Sequence, residues 1–238
     1  MRREPGTPTP FSRFNIALSD MLLGMITRLA GGFDVYGREN VPATGCLIAP
    51  NHISFLDPQL TSCALPRYTY FMAKRELFEI PFIRWWIRVA LAFPVEMDSP
   101  DRTAIRYAVE LLKRGECLTV FPEAGRSPDG TLQPAQLGVA FIARAAGVPI
   151  VPCAIIGIDK VLPLRAKFFH RGHTRVMFGE PIDPTPVFAE HPGKEGLQMA
   201  TDMVMDSIRR MQLQLYEMAG ETPPRPQRKD ASAPPDPA

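Results

Sequence analysis

The stretch Asn51-His52-Ile53-Ser54-Phe55-Leu56-Asp57-Pro58 (N-H-I-S-F-L-D-P) decides how the rest of the chain reads. It follows an apolar run, Leu47-Ile48-Ala49, so a strand ends just before His52. His52 is one of only 4 histidines. Imidazole has the unperturbed pKa that suits proton transfer near neutral pH. A carboxylate bonded to one ring nitrogen fixes the tautomer, and the other nitrogen can then take a proton from a hydroxyl. Five residues rotate an α-helix by about 500°, so His52 and Asp57 do not share a helical face. The spacing instead puts His52 in the turn after the strand and Asp57 in the first turn of the next helix. Ser54 is then the expected N-cap, with Asp57 at the third helical position as in a capping box. The bland alternative stays open at this point: Asp57 only caps a helix, and His52 is an ordinary loop residue.

A second constellation lies at Phe121-Pro122-Glu123-Ala124-Gly125-Arg126-Ser127, before the turn signal Pro128-Asp129-Gly130. A strand from Cys117 to Phe121 delivers it. Arg126 offers a rigid fork suited to a phosphate, and Ser127 can add a hydroxyl donor. Glu123 can hold that arginine or accept from a substrate hydroxyl. Taken alone, such a loop is more often a simple salt bridge.

Around these loops, strand patterns fall at about 33–37, 45–50, 68–72, 90–95, 117–121, 150–156 and 174–179. Helical patterns fall at 54–65, 81–88, 101–114, 137–147 and about 195–219. The alternation predicts an α/β fold: a mixed, largely parallel sheet covered by helices on both faces, preceded by an N-terminal amphipathic helix. Ligands in such sheets bind beyond the carboxyl ends of the strands, where both loops sit. In that first helix Phe11, Phe14, Leu18, Met21, Leu22, Met25 and Leu29 form one apolar stripe, which ends at Gly31-Gly32. It suits either a bilayer interface or packing on the core. Trp85 and Trp86, between Arg84 and Arg88, suit a membrane interface, the mouth of an acyl-chain groove, or a core helix whose Arg stems cover apolar surface.

At 238 residues, 45% hydrophobic and 22% charged, the chain has the bulk for a sizeable core. A net charge of +2 gives no reason to expect nucleic acid. Cys46, Cys63, Cys117 and Cys153 are far apart without a C-x-x-C, which predicts free thiols in a reducing compartment. His170 and His173 form H-x-x-H without a carboxylate or cysteine pair, so no metal site is expected. Met1 to Pro10 is polar and Pro-rich, so no signal peptide is expected there. No stretch of about 18 residues lacks charge, as a spanning helix would need.

Together the two loops carry a resemblance. N-H-I-S-F-L-D resembles the N-H-x-x-x-x-D block of the glycerolipid acyltransferases, the family of 1-acyl-glycerol-3-phosphate acyltransferases. F-P-E-A-G-R-S is similar to that family's F-P-E-G-T-R-S block. Lys74-Arg75-Glu76-Leu77-Phe78 with Pro81 resembles the basic block between them, and Val148-Pro149-Ile150-Val151-Pro152 the apolar block after them. The resemblance covers about residues 34–182. Two departures stand out: Ala124-Gly125 replaces the family's Gly-Thr, and no lysine occurs from Gln133 to Gln136.

The resemblance implies transfer of a fatty acyl group from acyl-CoA or acyl-carrier protein to the free hydroxyl of 1-acyl-sn-glycerol-3-phosphate, giving phosphatidic acid, with no cofactor. His52 would be the general base and Asp57 its orienting partner. Lys74, Arg75, Glu123, Arg126 and Ser127 would bind substrate, Lys74 or backbone N–H groups serving the oxyanion. The implied organisation is a disordered 1–10, a membrane-associating helix over 11–32, an acyltransferase domain over 33–220 and a disordered Pro-rich tail over 221–238. The implied place is the cytoplasmic face of the cell membrane, held peripherally or monotopically. The alternatives are another lysophospholipid or lyso-aminolipid acceptor, an acyl thioester hydrolase, or a non-catalytic lipid-binding protein.

Overall fold

The computed structural model describes residues 10–96, 101–162 and 170–225. The expected disorder at residues 1–9 and 226–238 lies outside them, as do the side chains of Phe11, Phe82, Trp86 and Arg88. The chain runs α1 (Pro10–Ala30), β1 (Phe33–Tyr36), β2 (Cys46–Pro50), α2 (Asp57–Ala64), β3 (Thr69–Lys74), α3 (Pro81–Val89), β4 (Ala92–Val95) and α4 (Arg102–Lys113). It continues with β5 (Cys117–Thr119), α5 (Gly138–Ala146), β6 (Ile150–Ile156), α6 (Ile158–Val161), β7 (Thr174–Phe178), α7 (Thr185–Glu190) and α8 (Lys194–Ala219). The described strands form one sheet in the order β1-β7-β6-β2-β5-β3-β4. From β6 to β4 neighbouring strands are parallel; β7 runs antiparallel to β6 and carries β1 parallel to itself. That is the mixed, largely parallel sheet the alternation predicts.

Both faces are covered, and the strands divide their residues by parity. Leu47, Ala49, Leu118, Ile150, Ala154 and Ile156 pack on residues of α4, α5 and α8. Cys46, Ile48, Cys117, Val151, Cys153 and Ile155 pack on the other face with Leu23 of α1, Leu60 and Ala64 of α2, and Ile158 and Val161 of α6. Each such aliphatic side chain contributes roughly 1.5–3 kcal/mol on burial, which fixes the strand register. The sheet is therefore a rigid base for the loops at its carboxyl edge.

The four cysteines are free thiols, and those of Cys46 and Cys117 face each other at 3.8 Å across β2 and β5. The short α6 and α7 and the 3-10 turns Arg38–Asn40 and Arg75–Phe78 have no counterpart in the periodicity, because each is too brief to complete a repeat. After α8 the chain does not leave the body at once. Glu221 pairs with Lys160 at 2.5 Å and Pro224 lies against Gly130, so the described part of the tail touches the body while staying largely exposed.

The first helix turns its apolar stripe outward. Its inner side is narrow: Ile16, Leu23 and Thr27 are buried, and Asp20 accepts hydrogen bonds from Gln59 and Ser62 of α2. Phe14 (65% exposed), Leu18, Met21, Leu22, Met25 and Leu29 (79%) face away from the core. The helix thus packs on the domain and still presents an apolar face. It touches α3, where Trp85 is also exposed, as is Ile80 just before that helix. No helix among the described residues is long and apolar enough to cross a membrane.

Candidate active site

The site begins where β2 ends. Asn51 donates from its side-chain amide to the Ile155 carbonyl at 3.0 Å and accepts the Ile155 N–H at 2.7 Å. Its side chain thus stands in for one more rung of the β2–β6 ladder, and the main chain can leave the sheet at His52 without orphaning β6. The Asn51 of the N-H pair went unread in the sequence for this reason: an amide next to a strand end does not announce which backbone it mimics.

The chain then folds a turn around Asp57. Its Oδ2 accepts the backbone N–H groups of Ile53 (2.6 Å) and Ser54 (2.7 Å) and pairs with His52 Nδ1 at 2.7 Å. The reach back to Ser54 is the carboxylate half of the expected capping box. The rest of that expectation needs correction: α2 starts at Asp57, Leu56 is its N-cap, and the Ser54 hydroxyl accepts only a 3.3 Å contact from Leu56 N–H. A tight turn over Ser54–Leu56 replaces the first helical residues because Asp57 draws two backbone donors toward itself. Asp57 is fully buried. Burial raises its carboxyl above the usual range, opposed by the His52 contact and by the two backbone donors. Only the imidazole of the pair reaches the surface, with 17% of the side chain exposed. An ionised carboxylate can only accept, so against ionised Asp57 it is Nδ1 that donates and Nε2 that carries the lone pair. Phe121 stacks on the ring at 4.2 Å between centroids and 26° between planes, which limits its rotation.

The loop after β5 clasps the loop after β2. His52 N–H donates to Glu123 Oε1 at 2.7 Å, and Ser127 N–H donates to the His52 carbonyl at 2.7 Å. The other Glu123 oxygen accepts the Gln133 N–H at 2.7 Å. Glu123 is thus a buried bracket between backbones, and burial pushes its pKa up to about 7. Ser127 is buried too; its hydroxyl donates to Asp129 at 3.2 Å and accepts from Gln133 at 3.4 Å. Of this block's polar side chains, Arg126 is the half-buried one, and its guanidinium lies over the exposed ring of Phe55 at 3.4 Å from the centroid. Neither aromatic, Phe55 or Phe121, was assigned a task by the motif letters.

The basic block stands further along the same edge. Ile48, Thr119 and Phe71 share one level of the sheet, and Lys74 ends β3 three residues beyond it, with β5 between β3 and β2. Lys74 is therefore two strands from β2, about 10 Å away. It is half exposed and lies 3.7 Å from Glu76. Arg75 is engaged elsewhere: it pairs with Glu96 and, at 3.6 Å, with Asp101. Asp101 caps α4 through the N–H groups of Thr103 and Ala104, which helps hold its carboxyl below the usual range. The structure thus gathers His52, Asp57, Glu123, Arg126 and Ser127 in one cluster, leaves Lys74 at the end of β3 two strands away with Glu76 as its partner, and ties Arg75 into the β4–α4 junction. His173, the second histidine of H-x-x-H, pairs with Asp34 at 2.6 Å.

Comparisons with known proteins show the family and the fold. The model of the family described as Acyltransferase matches residues 32–156. The 1-acyl-sn-glycerol-3-phosphate acyltransferase of Bacillus subtilis (strain 168) is 33% identical over 198 residues, 82% of this chain and 96% of that protein. The protein of the same name from Streptococcus pneumoniae is 30% identical over 219 residues, 90% of this chain and 78% of its own length. Among solved structures, the crystal structure of the 1-acyl-sn-glycerophosphate acyltransferase from Thermotoga maritima superposes with a TM-score of 0.66 at 28% identity, covering 86% of this chain and 87% of that one.

Proposed function

The chain belongs to the acyltransferase family, and from that premise we propose that it acylates the free hydroxyl of 1-acyl-sn-glycerol-3-phosphate to give phosphatidic acid. The observation that carries the mechanism is the 2.7 Å contact between His52 Nδ1 and the buried Asp57 carboxylate. Nε2 removes the proton of the acceptor hydroxyl as its oxygen attacks the thioester carbonyl. The tetrahedral intermediate collapses, the carbon–sulfur bond breaks, and the imidazolium returns the proton to the departing thiolate. Asp57 stabilises the imidazolium, a contribution typical of general base catalysis at about 10²–10⁴-fold. No acyl-enzyme forms, and the proton and electron pairs balance without a metal or cofactor.

Arg126 is the anion-binding group of the acceptor's phosphate. Glu123 and Ser127 serve that site by shaping its loop, and Lys74 supports the oxyanion. Arg75 contributes by anchoring the basic block. The donor is acyl-CoA or acyl-carrier protein. The outward stripe of α1 and the neighbouring Ile80 and Trp85 support peripheral attachment to the membrane that holds the acceptor, and we place that attachment at the cytoplasmic face.

Product analysis tests this reading. Purified protein incubated with a long-chain acyl-CoA and 1-acyl-sn-glycerol-3-phosphate should form phosphatidic acid in step with thiol release. Thiol release without an acceptor identifies a hydrolase. Turnover confined to a lysophospholipid with a different head group, or to a lyso-aminolipid, reassigns the acceptor.

A further inference from the structure

Three apolar side chains stand in the turn between His52 and Asp57. Ile53 is buried and Leu56 is partly buried against the core, but Phe55 is 64% exposed. The phenyl ring does not add to the core, yet it is not idle. Arg126 from the other loop stands over it, with Cζ 3.4 Å from the centroid. Stacking covers a face of a guanidinium and fixes its plane, while the N–H donors project from its edge. A stacked arginine is therefore oriented for a phosphate that arrives in its plane.

The two loops that bring ring and arginine together are the loops already clasped at His52. Ser127, next to Arg126, donates its N–H to the His52 carbonyl at 2.7 Å, and Asp57, two residues after Phe55, holds the imidazole. The Phe55–Arg126 contact is thereby tied to the same two loops that hold the catalytic ring. We propose that Phe55 is a positioning residue: it is the platform that sets Arg126 at a defined separation from His52, and so selects acceptors whose phosphate lies one glycerol carbon from the reacting hydroxyl. This assignment rests on the acceptor reading above and deepens it.

The test is steady-state acyl transfer to 1-acyl-sn-glycerol-3-phosphate by wild type, Phe55→Ala, Phe55→Leu, Phe55→Tyr, Arg126→Ala and the double variant Phe55→Ala/Arg126→Ala. Phe55→Ala should raise the acceptor KM about 3- to 30-fold while kcat and the donor KM change less than about threefold. Phe55→Tyr should restore the KM and Phe55→Leu should not, because apolar bulk alone supplies no quadrupole for the cation. The double variant should match Arg126→Ala, since a platform has no value without its arginine. Wild-type behaviour of Phe55→Leu, or full additivity of the two substitutions, overturns the platform. Turnover by wild type with an unaltered Phe55→Ala overturns it while leaving the acceptor reading intact. Absence of acceptor-dependent turnover in the wild type overturns both.

Discussion

Asp57 Oδ2 lies 2.7 Å from His52 Nδ1 and at the same time holds the backbone N–H groups of Ile53 and Ser54. One carboxylate oxygen thus sets both the ring and the turn that carries it. Asp57→Asn keeps an acceptor for the turn but can present an amide N–H to Nδ1, which then favours the wrong tautomer. kcat should fall by about 10²–10⁴-fold with the acceptor KM little changed. Retention of kcat within about tenfold would show that the pair does not run the proton transfer.

Glu123 links pH to stability. Its pKa rises from the ordinary 4.5 to about 7 because burial disfavours the charged form. A carboxyl raised in the folded state favours folding fully below its unfolded pKa, and that contribution is lost as pH rises through the folded value. Between pH 4.5 and 7 the folded wild type therefore loses stability relative to Glu123→Gln, by an amount of the order of 3 kcal/mol. Urea unfolding of both proteins at pH 5 and pH 8 measures it. A difference that does not change between the two pH values would contradict the assignment.

Ala124 sits at φ 55, in the left-handed region, where the family block has glycine. A non-glycine residue there costs about 1–3 kcal/mol, and glycine returns part of the gain through greater freedom of the unfolded chain. Ala124→Gly should raise stability by about 1 kcal/mol, read as a higher denaturation midpoint with an unchanged slope. A lower midpoint would mean that the loop relaxes this strain by another route.

Met25 and Leu29 are exposed on the outward stripe of α1, whereas Leu23 on its inner side is buried. The double substitution Met25→Glu/Leu29→Glu should reduce co-sedimentation with anionic phospholipid vesicles by at least about tenfold, because two inserted side chains are lost, with stability shifted by less than about 0.5 kcal/mol. Leu23→Asp should instead unfold the protein. Undiminished vesicle binding by the double variant would assign the membrane contact to another surface.

These outcomes depend on features of unequal visibility in the sequence. The seven strands could be read because β2 and β6 are apolar runs, β5 opens one that resumes after Thr119, and the remaining strands are bounded by turn residues. The catalytic pair was legible for a different reason: its members are five apart, and a strand-turn-helix junction can bring that spacing together. The α1 stripe was visible as a face, but periodicity does not say which side of a helix meets the core. Here the small inner side, with Asp20 tied to Gln59 and Ser62, does so. The task of Glu123 was hidden because its partners are the backbone N–H groups of His52 and Gln133, and backbone donors have no signature in residue type. Phe55 and Arg126 are 71 positions apart by the numbering, so their stacking is a property of the clasped loops alone.

The central claim is that His52 takes the proton of the acceptor hydroxyl. The most direct measurement is acceptor-dependent thiol release from an acyl-CoA by wild type and His52→Ala, each with and without 1-acyl-sn-glycerol-3-phosphate. The account predicts release that requires the acceptor and that falls by about 10²–10⁴-fold in the variant. Equal rates of thiol release by the two proteins would contradict it.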